Sequence, residues 1–192
     1  GMVPFSYPGE SSGTLTVGGK DPAKTGIFGM SKIVGTVLQD TDGQFIGLTV
    51  AEDVAFALEN DCVEQEEMFR AVDEVAEVVD IKALLGNAPT ELSGGQKQRV
   101  SMAGVLVDDV DILLFDEPLA NLDPATGKRA IDLIDRICRE RDKTVIIIEH
   151  RLEDALYRDV DRIVVIGDGR VVADMTPDEL LKSDLLQKHG IR

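Results

Sequence analysis

Cysteine is scarce in this chain: two residues in 192, Cys62 and Cys138. Neither sits in a metal-binding or redox spacing, so a disulfide scaffold, a zinc site and a thiol redox pair find no support, and two reduced thiols in a cytosolic protein are expected. No apolar run approaches the ~20 residues that a helix needs to cross a bilayer. No signal-peptide pattern is visible, so any membrane role is expected to be peripheral. Basic residues are outnumbered, 20 Lys and Arg against 36 Asp and Glu, for a net charge of −16. The acids are spread along the chain rather than gathered in a tail. A field of that sign repels phosphate backbones and disfavours a nucleic-acid partner. Internal repeats and low-complexity linkers are also lacking. What the chain does have is 43% hydrophobic residues and enough length for one domain with a sizeable core.

The order of elements can be read from periodicity and punctuation. The opening GMVPFSYPGESSG, with two prolines, reads as loop. A strand pair is expected around TLTVGGK and KIVGTVLQD. TVAEDVAFALEN reads as a helix begun by a capping box between Thr49 and Glu52. A second helix is predicted from about Val63 to Val79, with Met68, Val72, Val75, Ala76 and Val79 on one face. A third begins near Ser93, where Val100, Ala103, Gly104 and Val107 follow helical spacing. Asp111 to Phe115 is almost wholly apolar, as a parallel strand covered on both faces would be. A helix from about Pro124 to Arg141, the strand TVIIIEH and a short helix at RLEDAL come next. RIVVIGDGRVVAD reads as a hairpin turning at Asp168-Gly169. TPDELLK starts a last helix with proline at its first position and a capping box from Thr176 to Glu179.

Strand and helix alternate through the second half, which argues for an α/β fold with a largely parallel sheet. In such sheets ligands sit beyond the carboxyl ends of the strands. Asp116-Glu117 and Glu149-His150 both fall at such ends. A strand that ends in two solvated acids is common and needs no function. Here ILLFDEP, Ile112 to Pro118, comes soon after LSGGQ, Leu92 to Gln96. In LSGGQ, Ser93 is placed to cap a helix and Gln96 to complete a capping box. Gly94 and Gly95 carry no side chains, so backbone N–H groups and the helix dipole stay open to an anion.

These elements, in this order, strongly resemble the nucleotide-binding subunits of ABC transporters, and the resemblance covers nearly the whole chain. LSGGQ resembles their signature motif, ILLFDE at Ile112 to Glu117 their Walker B strand, and ANLDP at Ala120 to Pro124 their D-loop. His150 falls at the switch-histidine position and Gln39 at that of the Q-loop glutamine. The resemblance implies a P-loop NTPase-like fold. Residues 1–48 and 109–192 would form the catalytic α/β core, and 49–108 a helical subdomain bearing the signature motif. It also implies ATP and Mg2+ as ligands. Asp116, with Gln39, would hold the metal, and Glu117 would be the general base or orient the attacking water. His150 would touch the γ-phosphate. Ser93, Gly94 and Gly95 would bind the γ-phosphate held by the opposite subunit, with Gln96 and Asp123 in the same nucleotide-binding set. Adjacent acids then make sense, because phosphoryl transfer needs a metal-side and a water-side carboxylate in one site.

VLQDTDGQFIGLTVAEDVAF and EHRLEDAL resemble, more narrowly, the energy-coupling-factor importers of vitamins and metal ions such as cobalt. Their usual Asn-Pro-Asp-Asp-Gln stands here as Asp40, Thr41, Asp42, Gly43 and Gln44. The resemblance implies a transmembrane partner subunit, a second ATPase subunit, like or unlike, and a place on the inner face of the cell membrane. One departure is large. The Walker A loop, Gly-x4-Gly-Lys-Ser/Thr, is absent: at VGGKD, Lys20 is followed by Asp21, and Thr14 stands where the earlier glycine belongs. The chain is therefore expected to be an amino-terminally truncated ATPase domain, lacking the first strand and the P-loop and inactive alone. Two other readings are a non-catalytic structural or regulatory relative and a DNA-repair-type ATPase. The second would need a long insertion between Gln39 and Ile112, where there is little room.

Overall fold

The computed structural model describes residues 9–10, 12–40, 42–120 and 122–189. Most of the opening loop, Thr41 of the stretch after Gln39, and Asn121 of the Ala120–Pro124 motif lie outside the described residues. Three parallel strands carry the site: β1 (Val34–Val37), β2 (Ile112–Asp116) and β3 (Thr144–Ile148), in the order β1-β2-β3. Val37 pairs with Phe115, and Asp116 with Ile148, so all three strands end along one edge of the sheet. Leu113 and Phe115 on β2 are buried, as the apolar run ILLF requires.

Helices pack around this sheet. α2 (Val50–Asn60) starts at the expected capping box: Thr49 Oγ1 accepts Glu52 N–H, and Glu52 Oε2 accepts Thr49 N–H at 3.1 Å. α3 (Gln65–Val78) buries Val72, Val75 and Ala76, the predicted face. α4 (Gly94–Leu106) buries Val100 and Ala103 and packs on both α2 and α3. α5 (Pro124–Arg141) has the predicted bounds, with proline at its first position and Asp123 as its N-cap. The buried side chains of α2 to α5, β1 and β2 join one apolar cluster, including Val54, Val75, Met102, Phe115 and Ile134. Burial on this scale is what holds the strand ends in register.

One expectation is corrected, and two features of the fold were not foreseen. TLTVGGK does not form a strand: Gly18 and Gly19 both take positive φ, 56° and 74°, and the turn they make leaves only one bridge, Val17 to Lys20. The next element is a helix that the periodicity did not reveal, α1 (Pro22–Ser31), capped by Asp21 and broken at Gly26 by φ 74°. Beyond a short α6 (Leu152–Ala155), the last strands do not extend the parallel sheet. β4 (Ile163–Gly167) and β5 (Arg170–Met175) form a separate antiparallel pair. Asp168 and Gly169, φ 49° and 71°, make its turn as expected, because that turn needs positive φ at both positions. α7 (Pro177–Lys182) has its Thr176–Glu179 capping box, and α8 (Leu185–His189) comes after it.

Candidate active site

Each strand delivers a candidate residue just past its last residue: Gln39 after β1, Glu117 after β2, His150 after β3. The loop bearing Gln39 is pinned at both ends. Gln44 Oε1 accepts Leu38 N–H at 3.0 Å, and Asp53 Oδ1 accepts the N–H groups of Ile46 and Gly47 at 2.7 and 3.0 Å. The three residues meet on one carboxylate. Gln39 Nε2 donates to Glu117 Oε2 at 2.8 Å, and His150 Nε2 lies 2.8 Å from Glu117 Oε1. Glu117 itself has φ +47°, a left-handed backbone that a non-glycine residue holds only when its surroundings enforce it. One such contact is Glu117 N–H to the Ile148 carbonyl at 3.0 Å, which continues the β2–β3 ladder past the end of β2. Asp116, the last residue of β2, is half-buried beside it.

The amino-terminal end of α4 reaches the same place. Gly94 lines a small cavity of about 30 Å³ together with Gln39, Glu117 and Gln98. The Ser93 capping box is present, with Gln96 Oε1 accepting Ser93 N–H at 2.8 Å. Gly95 has a packing reason to be glycine. A Cβ there would meet Thr126 Cγ2 at 2.6 Å, so the first turns of α4 and α5 touch through it. Asp123 stands on the α5 side of this contact. Its Oδ1 accepts Ala125 and Thr126 N–H at 3.0 and 3.1 Å, and its other oxygen takes the Thr126 hydroxyl. That hydroxyl, then the Thr126 N–H, holds the Asp123 carboxyl below its ordinary value. Both oxygens of Asp123 are thus engaged in capping a helix.

The contacts of three residues at the site went unread in the sequence. Gln98 is 4% exposed, a buried amide beside the carboxylate. Its signal was available: Ser101 and Met102, three and four residues on and both buried, share its side of α4. Glu149 and Arg151, on either side of His150, hold the backbone of Leu119. Glu149 Oε1 accepts Leu119 N–H at 3.0 Å, and Arg151 Nη2 donates to the Leu119 carbonyl at 2.8 Å. Nothing in their spacing announces that contact.

A chain of this architecture is similar to several known proteins. An ABC transporter ATP-binding protein of Photobacterium profundum is 60% identical over all 192 residues, as is one of Enterococcus faecalis. The chain spans about a third of the length of these curated relatives, 34% in each case. Among solved structures, CbiO1 from Clostridium perfringens, described as part of the ABC transporter complex CbiONQ, is 32% identical with a TM-score of 0.82. That match covers 95% of this chain and 73% of CbiO1. The architecture is accordingly P-loop NTPase-like, a parallel sheet flanked by helices. Residues 5–120, which span β1, α4, β2 and Glu117, match the family described as ABC transporter, and the chain belongs to that family.

Proposed function

We propose that these residues supply the hydrolytic side of an ATP-hydrolysing unit that drives an importer of a small nutrient, a vitamin or a metal ion. The observation that carries this reading is the Glu117 carboxylate, held between His150 on one oxygen and Gln39 on the other. Three strand ends converge there on one acid, where a solvated pair of acids would need no such partners. Glu117 is the base, or the orienter, for the attacking water. His150 meets the γ-phosphate from the side of β3. Gln39 turns its amide nitrogen to Glu117, which leaves the amide oxygen as the atom it can offer a cation.

The donor set fits Mg2+, a hard cation that takes oxygen ligands and is commonly held by one or two carboxylates together with substrate phosphates. Asp116 and Gln39 lie at the ends of neighbouring strands, and no cluster of three or more acids, histidines or cysteines exists among the described residues to form an all-protein cage. They are the residues that would hold the ion. Bound there with the nucleotide, it would neutralise charge on the phosphates. Ser93, Gly94 and Gly95 open α4, a helix of 13 residues, whose N–H groups suit an anion. In a nucleotide-sandwich dimer they face the γ-phosphate of the second ATPase subunit, with Gln96 and Asp123 shaping the two helix starts. Residues 49–108, mostly helical, form the lobe turned towards a transmembrane subunit. The assembly sits on the inner face of the membrane; no described helix is long and apolar enough to cross one. The similarity to CbiO1, part of the CbiONQ complex, supports the energy-coupling type. The Gly-x4-Gly-Lys-Ser/Thr loop does not occur in these 192 residues, so this polypeptide alone does not hydrolyse ATP.

The test is Glu117→Gln in the full-length protein. General-base contributions run to about 10²–10⁴-fold, so turnover falls by about a hundredfold or more while ATP binding and an ATP-bound dimer persist. A Glu117→Gln protein that hydrolyses ATP near the parental rate would show that the carboxylate has another task.

A further inference from the structure

The proposed hydrolysis uses His150 and leaves its two charged neighbours without a role. Both turn onto one residue's backbone in another segment. Glu149 accepts the N–H of Leu119, and Arg151 donates to its carbonyl. Leu119 is 1% exposed, so these two backbone groups have little water to fall back on. Each gripping residue is itself held. Glu149 Oε2 accepts His150 N–H at 3.2 Å, and Arg151 Nε pairs with Asp154 Oδ2 at 3.2 Å across one turn of α6. Counting the Ile148 carbonyl to Glu117 N–H and the His150 to Glu117 side-chain contact, residues 148–151 hold 117–119 at four points.

A single hydrogen bond leaves a hinge. A grip on both backbone polar groups of one residue fixes its direction as well as its place. That is what a glutamate in the left-handed conformation needs two residues upstream, since its backbone would otherwise relax and carry the carboxylate away from His150. We infer that Glu149 and Arg151 are positioning residues, which lock the turn at 117–119 to the end of β3 so that Glu117 and His150 keep one geometry. The turn leading into α5 then moves with His150 as one piece. The inference rests on Glu117 being the hydrolytic carboxylate. Neither gripping residue belongs to the nucleotide-contacting set, so the effect falls on turnover and not on ATP binding.

The experiment measures steady-state ATP hydrolysis by the full-length protein and its Glu149→Ala, Glu149→Gln, Arg151→Ala and Arg151→Lys variants. Amide exchange at Leu119 is monitored in the same proteins. Small misplacements of reacting groups cost up to about a hundredfold. The alanine variants are expected to lose about ten- to a hundredfold in kcat, with KM for ATP within about twofold of the parent. The Leu119 amide exchanges faster in Glu149→Ala, while α5 keeps its protection. Gln still offers an oxygen to Leu119 N–H and recovers most of the lost rate; Lys keeps a donor without the guanidinium fork and recovers less. Alanine variants as fast as the parent, or Glu149→Gln as slow as Glu149→Ala, overturn the proposal. A parent with no ATP hydrolysis at all refutes instead the function beneath it, and Leu119 exchange unchanged by Glu149→Ala then refutes the grip as well.

Discussion

Gly95→Ala separates two reasons for a glycine in LSGGQ. If Gly95 serves only to expose N–H groups, adding a methyl in the first turn of α4 should stabilise the helix, since Gly is worse than Ala there by about 0.5–1 kcal/mol. The structure predicts the opposite sign. The new Cβ would sit 2.6 Å from Thr126 Cγ2, well inside contact distance. Thr126 cannot swing away cheaply, because its hydroxyl and its N–H both bond Asp123 at the start of α5. Overpacking of this kind costs about 1–3 kcal/mol. The propensity gain offsets part of it, which leaves a net loss of about 0–2.5 kcal/mol. In a protein of 150–250 residues that corresponds to a fall in Tm of up to about 10 °C, at about 2–4 °C per kcal/mol. Thr126→Ser removes the offending methyl and keeps the hydroxyl, so the double variant recovers the loss. Denaturant unfolding of the four proteins in the double-mutant cycle gives the coupling energy, expected at about 0.5–3 kcal/mol for side chains in contact. A stabilised Gly95→Ala protein with no coupling to Thr126 would refute the contact.

Charge supplies two further outcomes. Lys32 Nζ bonds Asp61 and lies 3.4 Å from Asp108, tying the end of α1 to the ends of α2 and α4. The Asp61 hydrogen bond, as the largest cause, raises the ammonium above its ordinary value of 10.5. A raised lysine contributes its stability in full below that value and loses it as pH climbs through the folded pKa. Because the pair is partly exposed, Lys32→Met should cost no more than about 1 kcal/mol at pH 7. Unfolding midpoints compared at pH 7 and at pH above 10.5 should show the difference shrinking, and one that persists undiminished would rule out the ion pair as its source. The second outcome concerns this 192-residue polypeptide alone, titrated calorimetrically with Mg-ATP. Charge-assisted hydrogen bonds contribute ~1.5–3 kcal/mol each. Without a P-loop lysine and its nest of N–H groups, affinity is expected to fall short by at least about a thousandfold, and the net charge of −16 opposes an anion further. A micromolar dissociation constant would place the phosphate contacts elsewhere in the chain.

What could be read in advance divides along physical lines. α5 was legible to the residue because proline and an aspartate cap punctuate its start, and the β4–β5 hairpin because Asp-Gly supplies positive φ at both turn positions. α1 was not, since Gly26 and Gly29 interrupt its ten residues and its apolar spacing is too weak to stand out. Glu117 and His150 stood out because they fall at strand ends, and Gln39 because its stretch resembles that of ABC transporter subunits; the parallel sheet brings all three to one edge. The reason for Gly95 was hidden, because Thr126 lies 31 residues away and no local pattern links the two. Glu149 and Arg151 were hidden more deeply. They act on the N–H and C=O of Leu119, and any non-proline residue at that position offers the same two groups. A side chain that grips backbone needs no complementary side chain, so it leaves no second motif to find. Only the fold, by turning residues 117–119 against the end of β3, makes such a partner visible. That is why residues that grip a neighbouring backbone, as Glu149 and Arg151 do, can be harder to read than the side chains they hold in place.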